Sequence, residues 1–363
     1  MGREKSNIGI YGIGVHLPEE IRTNDYWPES VYSKWWDTSG GRLDRPVEPE
    51  TTDPGRTLVR EMMARWRDDP FKGSRERRIM APGVRTTDME VRAATAALDA
   101  AGVVPGDVDF LLGQTTLPDN LLAPNVCRVH DALKLKRSCY SLQTEGICAA
   151  FLLQLELAEA LVHSGRYRLG LLIQSSGTSR YHTKLDDPMA PWIGDAATAV
   201  VVGPVSLERG MIAHSVKTDG RYYDAAVVAG DPSRHWSEAG HFQAHIKDAA
   251  RSRELLLDTV NLAKEVLDDA FVQANVSSRD IRFFGCHQGF AWLREAVQRF
   301  CGMENAASLD TFAWAGSTLA CNIPLVLQNA EQKGLLRNGD LTALFAGASG
   351  VILKSVLMRW GVT

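Results

Sequence analysis

The chain has 363 residues, 45% of them hydrophobic, and its 40 Lys and Arg against 44 Asp and Glu give a net charge of -4 at pH 7. That length and apolar content support two domains or two halves of one large fold and exclude a disordered chain. The charge balance argues against a general nucleic-acid binder, and no apolar run reaches the ~18 residues that a membrane-spanning helix needs. Six cysteines lack CxxC spacing, and the first residues, MGREKSNIGIYG, lack the charged-then-apolar plan of a signal peptide; both point to reduced thiols in the cytoplasm.

Asn7 to Val15, NIGIYGIGV, reads as a buried strand entering a turn at Leu17-Pro18. Its glycines do not make a dinucleotide loop, because the turn-like HLPEEIRTND comes next where a helix would be required. From Tyr26 to Ser74 the chain becomes loop-like, with Trp27, Trp35, Trp36 and Trp66 among Pro, Gly, Asp and Arg. Two readings stand for this stretch: a lid with aromatic surfaces for a flat or apolar group, or a satellite cluster packed under its own loops. Thr87 to Ala101 has helical spacing and is stopped by Gly102, and Val108 to Gly113 is the next strand. A helix begins near Pro124, and Ser138 to Leu142 is short and strand-like. Leu169 to Ser175 and Ala196 to Val202 are buried strands, the second after the turn Gly194-Asp195. Helix followed by strand, repeated, is the mark of an α/β fold.

Between these strands lies LQTEGICAAFLLQLEL, in which Cys148 opens an apolar helix running to about His163. Unpaired N–H groups and the helix dipole at such a position favour a thiolate, although small buried cysteines are also common in cores. The plan then repeats. Gly102 to Gln114, GVVPGDVDFLLGQ, lines up without gaps on Asn275 to His287, NVSSRDIRFFGCH, and Ala158-Glu159 before one strand corresponds to Ala330-Glu331 before another. The helix starting at Cys148 thus has an expected counterpart starting near Ser317. Two duplicated α/β halves, 1-205 and 206-363 with an insertion at 26-74, are expected to bring Cys148, His287 and Ser317 into one cleft.

With these motifs in place the chain resembles the β-ketoacyl-ACP synthase III group of the thiolase-fold condensing enzymes. IGIYGIGVHLPEEIRTN is similar to the family's opening strand and turn, and EGICAAF to its nucleophile motif. WIGDAATAVVVG is similar to its glycine-aspartate loop, CHQGF to its histidine motif, and NGDLTALFAGASG to its C-terminal glycine-rich loop. The resemblance implies a five-layer α-β-α-β-α thiolase fold, Cys148 as acyl-bearing nucleophile and His287 as catalytic histidine. It also implies an oxyanion hole from backbone N–H groups at Cys148 and in Gly347 to Gly350, with Ser349 named for it. A homodimer acting on acyl-CoA or acyl-carrier-protein thioesters is implied too. CoA or phosphopantetheine enters as substrate, and no tightly bound cofactor and no metal is expected.

Three departures bear on the reaction. The family's catalytic asparagine is replaced by Ser317 in AGSTLACNIPL, and a hydroxyl is a shorter donor with a single proton. Decarboxylation of a malonyl thioester is therefore expected to be impaired, while acyl transfer from Cys148 to a small-molecule or carrier-bound acceptor needs mainly a base. The histidine motif continues as Gln288-Gly289-Phe290, which changes the wall beside the pantetheine tunnel. In the long 26-74 stretch, Trp35 or Trp36 is the candidate for stacking on the adenine of CoA. Ala123 stands where the family carries an aromatic residue into the partner's acyl pocket, which widens that pocket for a branched or aromatic acyl group. Glu145 is read as a turn residue or a second acid, and His182 as a surface-loop histidine or a cleft residue. Arg294, Arg299, Lys247, Arg251 and Arg253 are read as a solvated face or a docking patch for an acidic carrier.

Overall fold

The protein is described from a computed structural model over residues 6–35, 52–229 and 242–362. Five strands make the first sheet: β1 (Asn7–His16), β2 (Phe110–Thr115), β3 (Tyr140–Gln143), β4 (Gly170–Ser176) and β5 (Ala196–Val205), in the order β1-β5-β4-β2-β3. Four make the second: β6 (Gly210–Thr218), β7 (Phe283–Cys286), β8 (Leu341–Ala348) and β9 (Ile352–Arg359), in the order β6-β9-β8-β7. Directions agree strand for strand. The first two pairs of each sheet are antiparallel and the next is parallel. The place of β3 is taken in the second sheet by a single parallel bridge, Phe283 to Ala307. The duplication read from the sequence is thus a duplication of topology.

Among the described residues, seven helices of eight residues or more fill the layers: α1 (Pro54–Ala64), α2 (Thr86–Ala101), α3 (Asn125–Ala132), α4 (Ala150–His163), α5 (Ala249–Ala274), α6 (Leu293–Phe300) and α7 (Asn322–Gln332). Helices α2 and α3 cover the outer face of the first sheet, and α5 covers that of the second, with α6 packed beside it. Helices α4 and α7 lie between the sheets and touch both, which completes five layers. Sequence explains the placement. Helix α4 buries Phe151, Leu152, Leu155, Ala158 and Val162 along one stripe and packs the half-buried Leu153, Leu157 and Leu161 on another side, as a helix enclosed between two sheets must. Helix α2 offers a face of Ala93, Ala94 and Ala97, so small that β1 approaches until a Cβ on Gly14 would lie 2.0 Å from the Ala93 carbonyl oxygen. Gly102, with φ of 63°, ends α2 as the sequence predicts, and Asn275, with φ of 52°, ends α5.

The described residues after Tyr26 divide between a satellite cluster and the core, since Val59 and Met62 of α1 join the core of the second half. Trp27 and Trp35 are buried with Ala190 and pack against Tyr32 and Phe71. Arg77 is wholly buried beside them and has no carboxylate partner among the described residues. Its guanidinium donates to the carbonyls of Pro191 (2.9 Å) and Arg22 (2.8 Å) and to Asn24 Oδ1 (2.8 Å), and lies 4.9 Å from the Trp27 ring. Burial lowers its pKa to about 10.

Candidate active site

Cys148 sits in a tight turn, Ile147–Ala149, that joins β3 to α4. Ile147 has φ of 44°, a strained setting for a β-branched residue, and strain of this kind persists only where surrounding packing enforces it. The second half repeats the strain: Leu319 has φ of 50° in the turn Leu319–Cys321 that precedes α7. Laying Ile147 on Leu319 puts Ala320 opposite Cys148 and Ser317 opposite Glu145. This corrects the expected pairing of Cys148 with Ser317, because α7 begins at Asn322 and not near Ser317. The two strained turns pack on one another, and the Cys148 turn also packs on β8, the strand that runs into the Gly347 to Gly350 segment containing Ser349.

His287 comes directly after β7 and extends its pairing, its N–H donating to the Phe345 carbonyl at 2.9 Å. Phe283, two pleats back on the same face, lies in the core cluster of the middle layer, so the imidazole faces that layer. The neighbouring chain is fixed by a buried amide network. Asn322 Oδ1 accepts from the Gln288 N–H (2.9 Å), Gln288 Oε1 accepts from the Thr311 N–H (2.7 Å), and Asn322 Nδ2 donates to Thr311 Oγ1 (2.8 Å). Burial pushes the His287 pKa down to about 4, against a hydrogen bond with the Leu319 backbone that pulls it up. Its Nδ1 has no partner among the described residues. Burial pushes the Cys148 thiol up to about 12 and outweighs the lowering by its own backbone N–H. The helix start therefore does not make Cys148 a thiolate at rest. At neutral pH the pair is a thiol and a neutral imidazole.

Ser317 is buried and held from both sides, its N–H donating to the Trp192 carbonyl (2.7 Å) and its carbonyl accepting from the Gly194 N–H (3.1 Å). Gly194 is required there: a Cβ would stand 1.9 Å from the Ala315 carbonyl oxygen. The next residue, Asp195, is buried and accepts from the N–H groups of Met80 (2.8 Å) and Ser179 (3.0 Å), and burial raises its pKa. The glycine-aspartate loop thus carries Ser317 to the turn at Leu319.

The remaining expected residues are spread around this centre. Phe290 is half-buried, stacked on Trp292 at 5.4 Å and edge-on to Trp192 at 6.3 Å. Sequence reasoning missed Trp192, which lies next to Pro191 in a stretch read only for Gly194-Asp195. Trp35 is 5% exposed and donates from Nε1 to the Asp186 carbonyl (3.1 Å), which leaves little indole surface for an adenine. Trp36 lies outside the described residues. Ala123 is exposed on the single chain beside Leu121 and Leu122. His182 is buried rather than superficial, with Nδ1 2.7 Å from Asp187 Oδ2. Glu145 is an exposed residue of the turn before Cys148, and partial burial of its carboxyl raises the pKa. Basic residues considered for carrier docking are paired within the chain. Arg294 binds Asp310 through two bonds (2.9 and 2.6 Å), Arg299 lies 3.8 Å from Glu295, Lys247 3.0 Å from Asp224 and Arg251 3.3 Å from Asp248.

Among the described residues no group of three His, Cys, Asp or Glu side chains is placed to hold a metal ion, and no helix is long and apolar enough to cross a membrane.

Residues 142–220 match the family described as 3-oxoacyl-(acyl-carrier-protein) synthase III, and residues 271–360 match the family of its C-terminal part. The β-ketoacyl-(acyl-carrier-protein) synthase III of Chelativorans sp. (strain BNC1) is 28% identical over 294 residues, covering 79% of this chain and 88% of that protein. The protein of the same name from Rhodospirillum centenum is 29% identical over 292 residues, with the same coverage. Among solved structures, 3-oxoacyl-(acyl carrier protein) synthase III, FabH, from Pseudomonas aeruginosa PAO1 superimposes with a TM-score of 0.76 at 23% identity, over 98% of this chain and 99% of that one. Xanthomonas campestris OleA with bound cerulenin superimposes with a TM-score of 0.78 at 17% identity, over 98% of this chain and 97% of that one.

Proposed function

Because the chain is a β-ketoacyl synthase III-like member of the thiolase-fold condensing enzymes, we propose that it loads an acyl group on Cys148 and transfers it to an acceptor without decarboxylation. The observation that carries this reading is the meeting of two strained turns. One holds Cys148, the other is bonded to His287, and a serine stands at position 317. In the first half-reaction Cys148 Sγ attacks the carbonyl carbon of an acyl thioester. The thiol proton passes by way of His287 to the departing CoA or phosphopantetheine sulfur. N–H groups of Cys148 and Ser349 stabilise the tetrahedral oxyanion between them. In the second, the acceptor heteroatom attacks the Cys148 thioester. Its proton goes to neutral His287 and from there to the Cys148 sulfur as the thiol re-forms. Ser317 orients the acceptor or assists His287.

A second reading, condensation with a malonyl thioester, is favoured by one observation. A histidine whose pKa burial lowers to about 4 stays neutral and keeps an N–H to donate to a developing enolate. Incubation with malonyl-CoA or malonyl-carrier thioester after acyl loading separates the two: acyl transfer predicts no CO₂ release, and a β-ketoacyl product overturns it. For the donor, internal pairing of the basic residues on and near α6 supports CoA over an acidic carrier protein. A homodimer is the expected assembly, joined along β3.

A further inference from the structure

Gln114 ends the segment that aligns with the one ending in His287, so it is the first-half counterpart of the catalytic histidine. The structure keeps the correspondence. Leu112 belongs to the core cluster of the middle layer, and Gln114, two residues on along β2, shares its face, as His287 shares that of Phe283. The two side chains face the middle layer from opposite sheets. Gln114 also lies next to the strand segment that leads to the nucleophile, since the carbonyl of Gly113 accepts from both the N–H (2.7 Å) and Oγ1 (3.0 Å) of Thr144.

Gln114 is 1% exposed, and neither its Nε2 nor its Oε1 has a hydrogen-bond partner among the described residues. The nearby Thr116 Oγ1 is likewise buried and unpartnered. The contrast with its register neighbour is direct. Gln174 donates from Nε2 to Gln154 Oε1 (2.6 Å) and accepts at Oε1 from Thr198 Oγ1 (2.8 Å). Protein interiors do not leave a primary amide unpaired at both ends without free-energy cost, and a bound group can supply the partner that the described residues do not.

Resting on the acyl-loading reading above, we propose that Gln114 is a specificity-determining residue of the acyl pocket. Its amide selects an acyl group that carries a hydroxyl, which both accepts from Nε2 and donates to Oε1. A plain alkyl chain leaves both amide groups unpaired and is disfavoured. A site built to bond a substrate hydroxyl discriminates strongly against the analogue that lacks it.

The test measures Cys148 acylation by intact mass with matched alkanoyl-CoA and hydroxyalkanoyl-CoA donors of equal chain length, hydroxylated at successive carbons. Wild type is expected to load one hydroxylated isomer at least about tenfold faster than the alkanoyl group, and Gln114→Leu to abolish or invert that ratio. Gln114→Asn, which retracts the amide by one methylene, is expected to lower it and serves if the leucine variant does not fold. Equal loading of every matched pair, or a ratio unchanged by either variant, overturns the inference. Absence of adducts from all donors overturns acyl loading instead. In that event the donors' effect on melting temperature tests Gln114 separately, because a hydroxylated donor must still stabilise wild type more than the leucine variant.

Discussion

At the scale of single residues, the proposed acyl transfer makes Ser317 the residue that decides the fate of the acyl group once Cys148 carries it. A carboxamide in its place reaches further and has two protons to donate. Ser317→Asn is expected to raise decarboxylation of a malonyl thioester by about tenfold or more, measured as CO₂ release, since one such donor is typically worth ~3 kcal/mol in the transition state. On the same proposal His287 sets the pH profile. Only the neutral imidazole accepts a proton, and its pKa of about 4 keeps it neutral through the physiological range. Loading rates should therefore be limited on the acid side only as pH approaches that value, and a limb near the ordinary histidine value of 6.5 would contradict the burial argument. Glu90 gives a stability counterpart. Buried in α2, its Oε1 accepts from Ser175 Oγ (2.6 Å) and Asn125 Nδ2 (3.0 Å), yet burial raises its pKa to about 7. A raised carboxyl stabilises the fold most when protonated, below its unfolded value of 4.5, and that contribution is lost as pH rises to about 7. Glu90→Gln is expected to raise Tm at pH 8 relative to wild type, by up to about 3 kcal/mol of stability, with little gain at pH 4. The placement of Cys148 just before α4 and of His287 just after β7 is legible in the sequence because apolar runs mark the helix and the strand. The burial of His182 and the orphaned amide of Gln114 are not, since neither composition nor spacing says which polar side chains the layers enclose.

At the scale of elements, the glycine-aspartate loop and the middle layer do most of the positioning. Gly194→Ala forces a methyl group to within 1.9 Å of the Ala315 carbonyl oxygen and so displaces the segment bearing Ser317. It is expected to cost more than about 2 kcal/mol in urea unfolding and to slow transfer from the acyl-enzyme. The two halves are also pinned by charge. Lys354 of β9 is wholly buried, and its Nζ donates to the Glu156 carboxylate of α4 and to His214 Nδ1 (2.9 Å). Glu156→Gln strands that ammonium and should cost about 2–4 kcal/mol. Lys354→Met removes the charge and should cost less, and the reverse order would refute the assignment. Most elements are legible in the sequence because their apolar runs and stops are strong. The true counterpart of Cys148 is not, because helix periodicity locates a helix start only within a turn, whereas the positive φ at Ile147 and Leu319 fixes it to the residue.

At the scale of the molecule, β3 is the open edge of the first sheet. Tyr140 and Leu142 are exposed on it, and Leu121 and Leu122 lie 78% and 95% exposed in the loop that carries Ala123. An apolar sheet edge of this kind is a surface for a second copy. Leu122→Glu combined with Leu142→Lys is expected to convert a dimer to a monomer by light scattering, and a monomeric wild type would remove the proposed assembly. The central claim, that Cys148 carries the acyl group, is tested most directly by intact-protein mass spectrometry with a panel of acyl-CoA donors, together with mapping of the modified peptide. The account predicts a single acyl adduct on the peptide containing Cys148, discharged by an acceptor nucleophile and lost in Cys148→Ala. An adduct on another residue, or none from any CoA or carrier-protein donor, would contradict it.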